Sequence, residues 1–153
     1  MTERSLRIAT GALALVGAGI AGYLTLARFS GVTLACTTGG CETVQSSAYA
    51  ELLGVPVALL GLGGYAAILA TALVAGELAR LAGAVLALAG VAFGAYLLLV
   101  QVAVIGALCQ WCLASDAVMA LLAVAAVGRL APESVAALVS RLARPTAGQA
   151  ASR

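Results

Sequence analysis

The sequence predicts an all-α integral membrane protein: a four-transmembrane-helix bundle with one long extracytoplasmic loop between helices 1 and 2. Three observations predict this class. The 153-residue chain is 63% hydrophobic and only 9% charged, and its mean hydropathy of +1.12 is far above that of soluble domains. Four apolar runs each reach the roughly 20 residues that a helix needs to cross the hydrocarbon core. Nearly all arginines fall in the segments that four successive crossings would place on one side of the membrane.

The four runs span about 6–29, 55–75, 78–105 and 108–127. Each is expected to be helical, because backbone polar groups in lipid must be satisfied within the chain. Pro56 suits the first turn of the second helix, where its missing N–H costs nothing. Gly76 separates the second run from the third, and Gly106 separates the third from the fourth. Gly90 and Gly94 are spaced to allow another helix to approach closely.

The arginines predict the orientation of the bundle. Seven of them fall on the N-terminal side of the membrane, and only Arg28 falls on the other. Because basic loops stay in the cytoplasm, both termini are predicted to be cytoplasmic and loop 30–54 extracytoplasmic. A cleaved signal peptide is the alternative for the first run, but its apolar stretch exceeds the roughly 7–15 residues of a signal core. The sequence thus predicts a multi-pass cell-membrane protein.

Residues 1–130 are predicted to form the membrane domain and residues 131–153 a cytoplasmic extension. After Pro132, apolar residues recur at helical spacing at Val135, Leu138, Val139 and Leu142. This pattern predicts a short amphipathic segment along the inner membrane surface, followed by a disordered tail. The chain has no basic cluster, so nucleic acid is not an expected partner.

The chemistry of the chain is expected to lie in two cysteine pairs. Cys109 and Cys112 form a C-x-x-C motif at the N-terminal edge of the fourth helix, where the partial positive charge of the helix favours thiolates. In this position Cys109 should lie nearer water and Cys112 one turn deeper. The other pair, Cys36 and Cys41, lies in the outer loop, and Gly39 with Gly40 between them allows a tight turn. Two dithiols on one membrane face suggest an electron relay, which requires the loop to fold over the helix ends.

Other interpretations of the four cysteines stay open at this stage. C-x4-C with C-x2-C matches a four-thiolate zinc site, although an exposed zinc site is less natural in an oxidising compartment. Two structural disulfides are a second alternative. A small thiol-based carrier for a soft metal ion is a third, and it would keep its cysteines reduced. The relay is preferred because its C-x-x-C motif begins a helix beside lipid, and no metal is assigned.

Several features occur together over about residues 6–127: the four-helix layout, both cysteine pairs, the stretch Cys41-Glu-Thr-Val-Gln-Ser-Ser-Ala-Tyr49, and Gly54-Val-Pro56. In this combination the chain resembles the vitamin K epoxide reductase (VKOR) family. The resemblance implies a membrane thiol:quinone oxidoreductase that supports disulfide formation, with ubiquinone or menaquinone as electron acceptor. It also implies that the outer loop covers the active site. Many bacterial relatives carry a fused thioredoxin domain; without one here, the partner is expected to be a separate thioredoxin-fold protein.

The resemblance also implies roles for individual residues. Cys36 and Cys41 would exchange electrons with the partner, Cys41 would attack Cys109, and Cys112 would face the quinone. Ser47 matches the hydroxyl that the family places near the cysteines and quinone.

Two positions depart from the vertebrate members. Val57 stands where they have an Asn, and Asp116 where they have a Tyr, which argues against epoxide reduction and leaves quinone reduction intact. Three further residues are candidates for quinone contacts, each with an alternative. Gln101 could instead join two helices, Asp116 could lie at the headgroup level, and Trp111 could anchor the interface.

Overall fold

A computed structural model describes residues 3–142, and the side chains of residues 3–130. Five helices follow one another in the chain: α1 (Glu3–Ser30), α2 (Cys41–Gln45), α3 (Val57–Leu73), α4 (Glu77–Val100) and α5 (Gln110–Leu142). A single 3-10 turn (Ala48–Ala50) and a two-stranded hairpin, β1 (Glu51–Leu52) with β2 (Val55–Pro56), lie between α2 and α3. A π-helical turn (Gln101–Ile105) continues α4.

Among these residues, three helical segments are long and apolar enough to cross a membrane: Glu3–Ser30, Glu77–Ile105 and Gln110–Leu130. The fourth apolar helix, α3, has 17 residues and so about 26 Å of length, somewhat less than the ~30 Å hydrocarbon core. It begins directly after Pro56 and ends before Gly76, whose φ of 140° is outside the helical range. That all four helices cross the membrane therefore stays a prediction.

The helices pack as a bundle with small side chains inside and large ones outside. α1 packs against α3 and α5, and α4 packs against α3 and α5. The core combines alanines of α1, α4 and α5 with a few larger residues, among them Tyr65 and Ile68 of α3 and Leu122 of α5. Gly90 and Gly94 approach α5 closely, as the sequence predicts: a β-carbon on them would lie 2.7 Å from Met119 Sδ and 2.5 Å from Asp116 Oδ1. Large apolar side chains on the outside are what a lipid-facing surface requires.

Most helix ends lie one to three residues from the predicted bounds, and both bounds of the last helix differ from the structure for identifiable reasons. The last helix begins at Gln110 instead of Leu108, because Gly106 adopts a left-handed φ of 69° and the chain needs three further residues to enter α5. At its other end α5 continues past Val127 and through Pro132 to Leu142. The apolar residues that recur at helical spacing after Pro132 favour this continuation. The tail predicted to be disordered, from residue 143 onward, lies outside the described residues.

Arginines at the N-terminal end of the bundle are bonded to helix ends. The Arg7 guanidinium donates to the carbonyl oxygens of Ala72 and Leu73 at the C-terminus of α3, both at 3.2 Å. Arg129 is buried and lies 3.4 Å from Glu3 Oε1. A cation at a helix C-terminus compensates the unpaired carbonyls there. These bonds fix α1 against α3 and α5 at this end.

Candidate active site

The loop pair is oxidised. Cys36 and Cys41 form a disulfide with their Cα atoms 6.1 Å apart. Gly39 makes the turn between them with φ of +74°, a conformation that favours glycine. The neighbouring Gly40 has an ordinary φ of −96°. Glycine is needed there because there is no room for a side chain: a β-carbon would lie 2.5 Å from the Leu108 carbonyl oxygen. The disulfide is incompatible with a four-thiolate zinc site, which needs all four sulfurs as thiolates.

Cys109 caps the N-terminus of α5, and each of its polar groups is bonded. Its carbonyl oxygen accepts the Leu113 N–H at 3.0 Å, and its sulfur accepts the Cys112 N–H at 3.3 Å. The Cys109 N–H donates to Gln101 Oε1 at 2.9 Å. The Cys112 thiol and the backbone N–H groups of Cys112 and Trp111 hydrogen-bond to the Cys109 sulfur and lower the pKa of this thiol to about 6. A thiol at such a helix start is prepared for nucleophilic exchange.

Cys109 is predicted to be the more accessible thiol of the C-x-x-C pair, and the burial of the two side chains contradicts this. Cys109 has no exposed surface, and neither has Cys41, with which it shares a buried cluster that also contains Val44. Cys36 and Cys112 pack at the edge of this cluster and remain partly exposed. The reason is that α2 covers the start of α5. Docking of the loop thus buries one cysteine of each pair.

The short helix α2 aligns two of its residues with the C-x-x-C motif. Cys41 and Gln45 are four residues apart and therefore lie on one face of α2. Cys41 meets Cys109 in the buried cluster, and Gln45 Nε2 donates to Cys112 Sγ at 3.7 Å. Gln45 is a site residue that the sequence does not reveal, because its partner lies 67 positions away.

A cavity of about 310 Å³ opens beside Cys112. It lies among α1, α3, α4 and α5, below the α2 segment, and apolar side chains form most of its wall. The lining residues with polar or reactive atoms include Gln45, Ser47, Gln101, Cys112, Ser115 and Asp116. An apolar cleft with a few convergent polar groups is the usual form of a site for a small, largely apolar molecule.

Three of the predicted quinone contacts line this cavity. Ser47 donates to the Val44 carbonyl oxygen at 2.7 Å, and Gln101 holds the Cys109 N–H. Asp116 lies against Gly94, and its buried Oδ2 atom has no hydrogen-bond partner among the described residues. An unsatisfied carboxyl oxygen beside an apolar cavity costs free energy, which makes Asp116 a candidate for a functional role. The sequence does not reveal Ser115, whose hydroxyl and carbonyl oxygens each lie 2.8 Å from the Tyr65 hydroxyl.

The fourth predicted contact, Trp111, is not among the residues that line the cavity. Its ring centroid lies 4.9 Å from that of Tyr23, and its Nε1–H donates to the Ala35 carbonyl oxygen at 2.8 Å. Neighbouring residues of a helix point about 100° apart. Since Cys112 faces the cavity, Trp111 faces away from it, toward α1 and the outer loop.

Three features together indicate a membrane-bound thiol–disulfide oxidoreductase: apolar helices, a loop disulfide that packs in one buried cluster with a helix-capping thiol, and a cavity at the second thiol. Comparison with known families agrees with this class. A sequence model of the vitamin K epoxide reductase family matches residues 8–127, which is most of the chain. The chain therefore belongs to the vitamin K epoxide reductase family, and it is a membrane oxidoreductase.

Proposed function

We propose that this protein is a thiol:quinone oxidoreductase that oxidises a separate thioredoxin-fold protein outside the cytoplasm and thereby supports disulfide formation. Electrons would enter at the Cys36–Cys41 pair, pass to the Cys109–Cys112 pair and leave to a membrane quinone. The observation that carries the proposal is that the oxidised loop pair and the reduced C-x-x-C pair pack in one cluster, with Cys41 and Cys109 buried together. Two pairs in contact can exchange electrons without a carrier.

The internal exchange balances in two steps. A Cys41 thiolate attacks Cys109 of the Cys109–Cys112 disulfide, which forms the Cys41–Cys109 bond and releases Cys112 as a thiolate. Cys36 then attacks Cys41, restores the loop disulfide and releases Cys109. The loop pair has been oxidised and the C-x-x-C pair reduced by two electrons, which corresponds to the redox state in the structure. The Cys41 N–H, 3.3 Å from Cys36 Sγ, is positioned to stabilise that sulfur when it is a thiolate.

Entry of electrons is the same reaction with a partner. A thiolate of the partner attacks the loop disulfide at Cys36, because this sulfur is partly exposed and Cys41 is fully buried. Cys41 leaves as a thiolate, and the second partner thiol attacks the mixed disulfide to release Cys36. The partner is oxidised and the loop pair reduced. Exposure of a single loop sulfur therefore supports a defined point of entry.

The cavity fits a quinone ring. The apolar wall of the cavity suits the quinone ring and the chain attached to it. Asp116 Oδ2, which lacks a hydrogen-bond partner among the described residues, supplies a polar atom to which a bound group can hydrogen-bond. When bound, a quinone accepts two electrons and two protons. Cys112 is the cysteine that borders the cavity, Gln45 holds its sulfur, and Asp116 could carry a proton at Oδ2. Ser47 and Gln101 complete the polar lining.

The arginines support the proposed orientation. Arg7 and Arg129 lie at one end of the bundle, bonded to α3 and α1. At the end that carries the outer loop, Arg28 forms an ion pair with Glu51 at 2.6 Å, so its charge is neutralised within the protein. With the arginine-rich end in the cytoplasm, four crossings would bring the cysteines to the extracytoplasmic side.

A quinone-reduction assay tests the proposal. Purified protein in lipid nanodiscs is mixed with a reduced thioredoxin-fold protein and either a benzoquinone or a naphthoquinone, and quinone absorbance is followed. The wild type should reduce at least one quinone and oxidise the partner in equal amounts. Cys112→Ala and Cys36→Ser should each abolish turnover, whereas Thr43→Ala, an exposed change on α2, should not alter it. Absence of quinone reduction by the wild type, or full turnover in Cys112→Ala, would refute the proposal.

A further inference from the structure

The outer loop is bound to the C-x-x-C motif through a residue inside the motif. Gln110 Oε1 accepts the Thr37 N–H at 2.9 Å and the Thr37 hydroxyl at 2.6 Å. Its Nε2 group donates to the Ala35 carbonyl oxygen at 3.2 Å. Ala35 and Thr37 are the two neighbours of Cys36, so a single side chain holds the backbone on both sides of this cysteine. We call these three hydrogen bonds the Gln110 clamp.

The clamp connects the two ends of the internal reaction. Gln110 directly follows Cys109 on the first turn of α5. Because its side chain bonds the residues on both sides of Cys36, Gln110 holds the loop disulfide against the segment that carries Cys109. At the other end of the disulfide, Cys41 is fixed by its burial on α2. Both ends of the disulfide therefore have a defined position relative to Cys109.

Thiol–disulfide exchange depends strongly on this relation. The attacking sulfur approaches along the extension of the bond that breaks, so three sulfurs must lie nearly in line. When Cys109 attacks Cys41, the leaving sulfur is Cys36, and the direction of the Cys36–Cys41 bond decides whether attack is possible. Displacement of reacting groups by about 1 Å can cost roughly 10²-fold in rate. A device that fixes Cys36 would thus control the exchange without touching a sulfur.

We propose that Gln110 is a positioning residue, which aligns the loop disulfide with Cys109 for electron transfer between the two pairs. The inference rests on the proposed function and deepens it. It assigns a role to an intervening residue of the C-x-x-C motif through contacts with the loop, 73 and 75 positions away. A Gln110 that merely stabilised the fold would affect unfolding and not the exchange.

The test isolates the internal step in a Cys112→Ser background, where Cys109 is the only free thiol when the loop pair is oxidised. The Cys109 thiolate attacks Cys41, the Cys41–Cys109 bond forms, the Cys36–Cys41 bond breaks, and Cys36 leaves as a thiolate. No external oxidant or reductant is needed. After an acid quench, proteolysis and mass spectrometry measure how fast the Cys41–Cys109 disulfide forms. Adding Gln110→Ala should slow its formation at least about tenfold.

A second variant perturbs the clamp from the loop side. Thr37→Val keeps the shape and the backbone N–H but removes the hydroxyl donor, so it should slow the same step about threefold, roughly what one hydrogen bond contributes. Combined with Gln110→Ala it should add no further loss, because both changes remove the same contact. Thr43→Ala serves as the control and should exchange at the unaltered rate. The thermal midpoints of all variants should stay close to that of the Cys112→Ser parent.

The outcomes separate this inference from the proposed function. If Gln110→Ala exchanges as fast as the parent while the wild type reduces quinone, the clamp has no positioning role and the proposed function stands. Additive losses in the double variant would also overturn the clamp. If the parent forms no Cys41–Cys109 disulfide and the wild type reduces no quinone, both proposals fall. Slow exchange in Gln110→Ala with an unchanged thermal midpoint supports the positioning role.

Discussion

Gly40 offers a test of how closely the outer loop must be seated on the C-x-x-C segment. Its φ and ψ of −96° and −4° are allowed for alanine, so Gly40→Ala causes no backbone strain and acts through space alone. The added β-carbon would lie 2.5 Å from the Leu108 carbonyl oxygen and 2.9 Å from the Leu108 nitrogen. Both are backbone atoms that cannot rotate away. Ordinary contact begins at 3.4 Å, so the loop must retreat by about 0.9 Å.

This retreat reaches the reacting sulfurs. Thr38 Oγ1 donates to the same Leu108 oxygen at 3.1 Å, and the displacement would lengthen this bond beyond hydrogen-bond range. Cys41 directly follows Gly40 and would move with it, away from Cys109. A displacement of this size should slow exchange between Cys41 and Cys109 by roughly 10²-fold. The overall cost in unfolding free energy should be about 1 kcal/mol, because the loop can lift and relieve most of the overpacking.

Single-turnover quinone reduction measures the rate of exchange. Alkylation of Cys109 by a maleimide, with the loop pair oxidised, measures whether the loop still covers this thiol. Gly40→Ala should reduce quinone about 10²-fold more slowly and expose Cys109 to the reagent. Gly22→Ala, on α1 with open space around the added carbon, is the matched control and should behave as the wild type. If Gly40→Ala transfers electrons at the wild-type rate and keeps Cys109 protected, the loop is not seated as argued.

Three further changes test other parts of the site. Asp116→Asn keeps the shape but cannot release a proton, so quinone reduction should fall about 10²-fold with little change in thermal midpoint, and an unchanged rate would contradict the proton role. Gly17→Ala would place a β-carbon 2.1 Å from the Tyr65 ring and should lower the unfolding free energy by about 1–3 kcal/mol, unlike Gly22→Ala. Because the pKa of Cys109 is lowered to about 6, thiolate ultraviolet absorbance should be present at about pH 7 and disappear as the pH falls through 6; a first transition only above about pH 8 would refute this.

The helical framework of the protein could be predicted from the sequence because its signals are local. Each apolar run is long, and the breaks at Gly76 and Gly106 coincide with backbone conformations that interrupt a helix. The close packing of Gly90 and Gly94 also follows from local spacing. By contrast, α2 has only five residues and carries no periodic signal. Its existence depends on the surface that it covers.

The site could be predicted as a set of residues but not as an arrangement. The sequence suggests the four cysteines and places Ser47, Gln101 and Asp116 near them, and all three line the cavity. Trp111 lies between the two cysteines in sequence but does not line the cavity, because one residue along a helix changes direction by about 100°. The sequence does not indicate Gln45 and Gln110 as site residues, for another reason. Their partners are far away in the chain, and no local pattern indicates them.

The main change that the structure brings concerns the difference between the two cysteine pairs. The sequence suggests an outer pair in a loop and an inner pair at the start of a helix. In the structure, each pair instead has one fully buried sulfur and one at an edge: Cys41 and Cys109 are sealed together, Cys36 lies toward the outside, and Cys112 borders the cavity. Burial of Cys41 and Cys109 protects the two exchanging thiols from oxidants in the solvent. It also leaves one accessible sulfur for each reaction partner, Cys36 for the partner protein and Cys112 for the quinone. In the proposed relay, the order Cys36, Cys41, Cys109, Cys112 therefore follows from burial, and the depth of each residue in the membrane does not decide it.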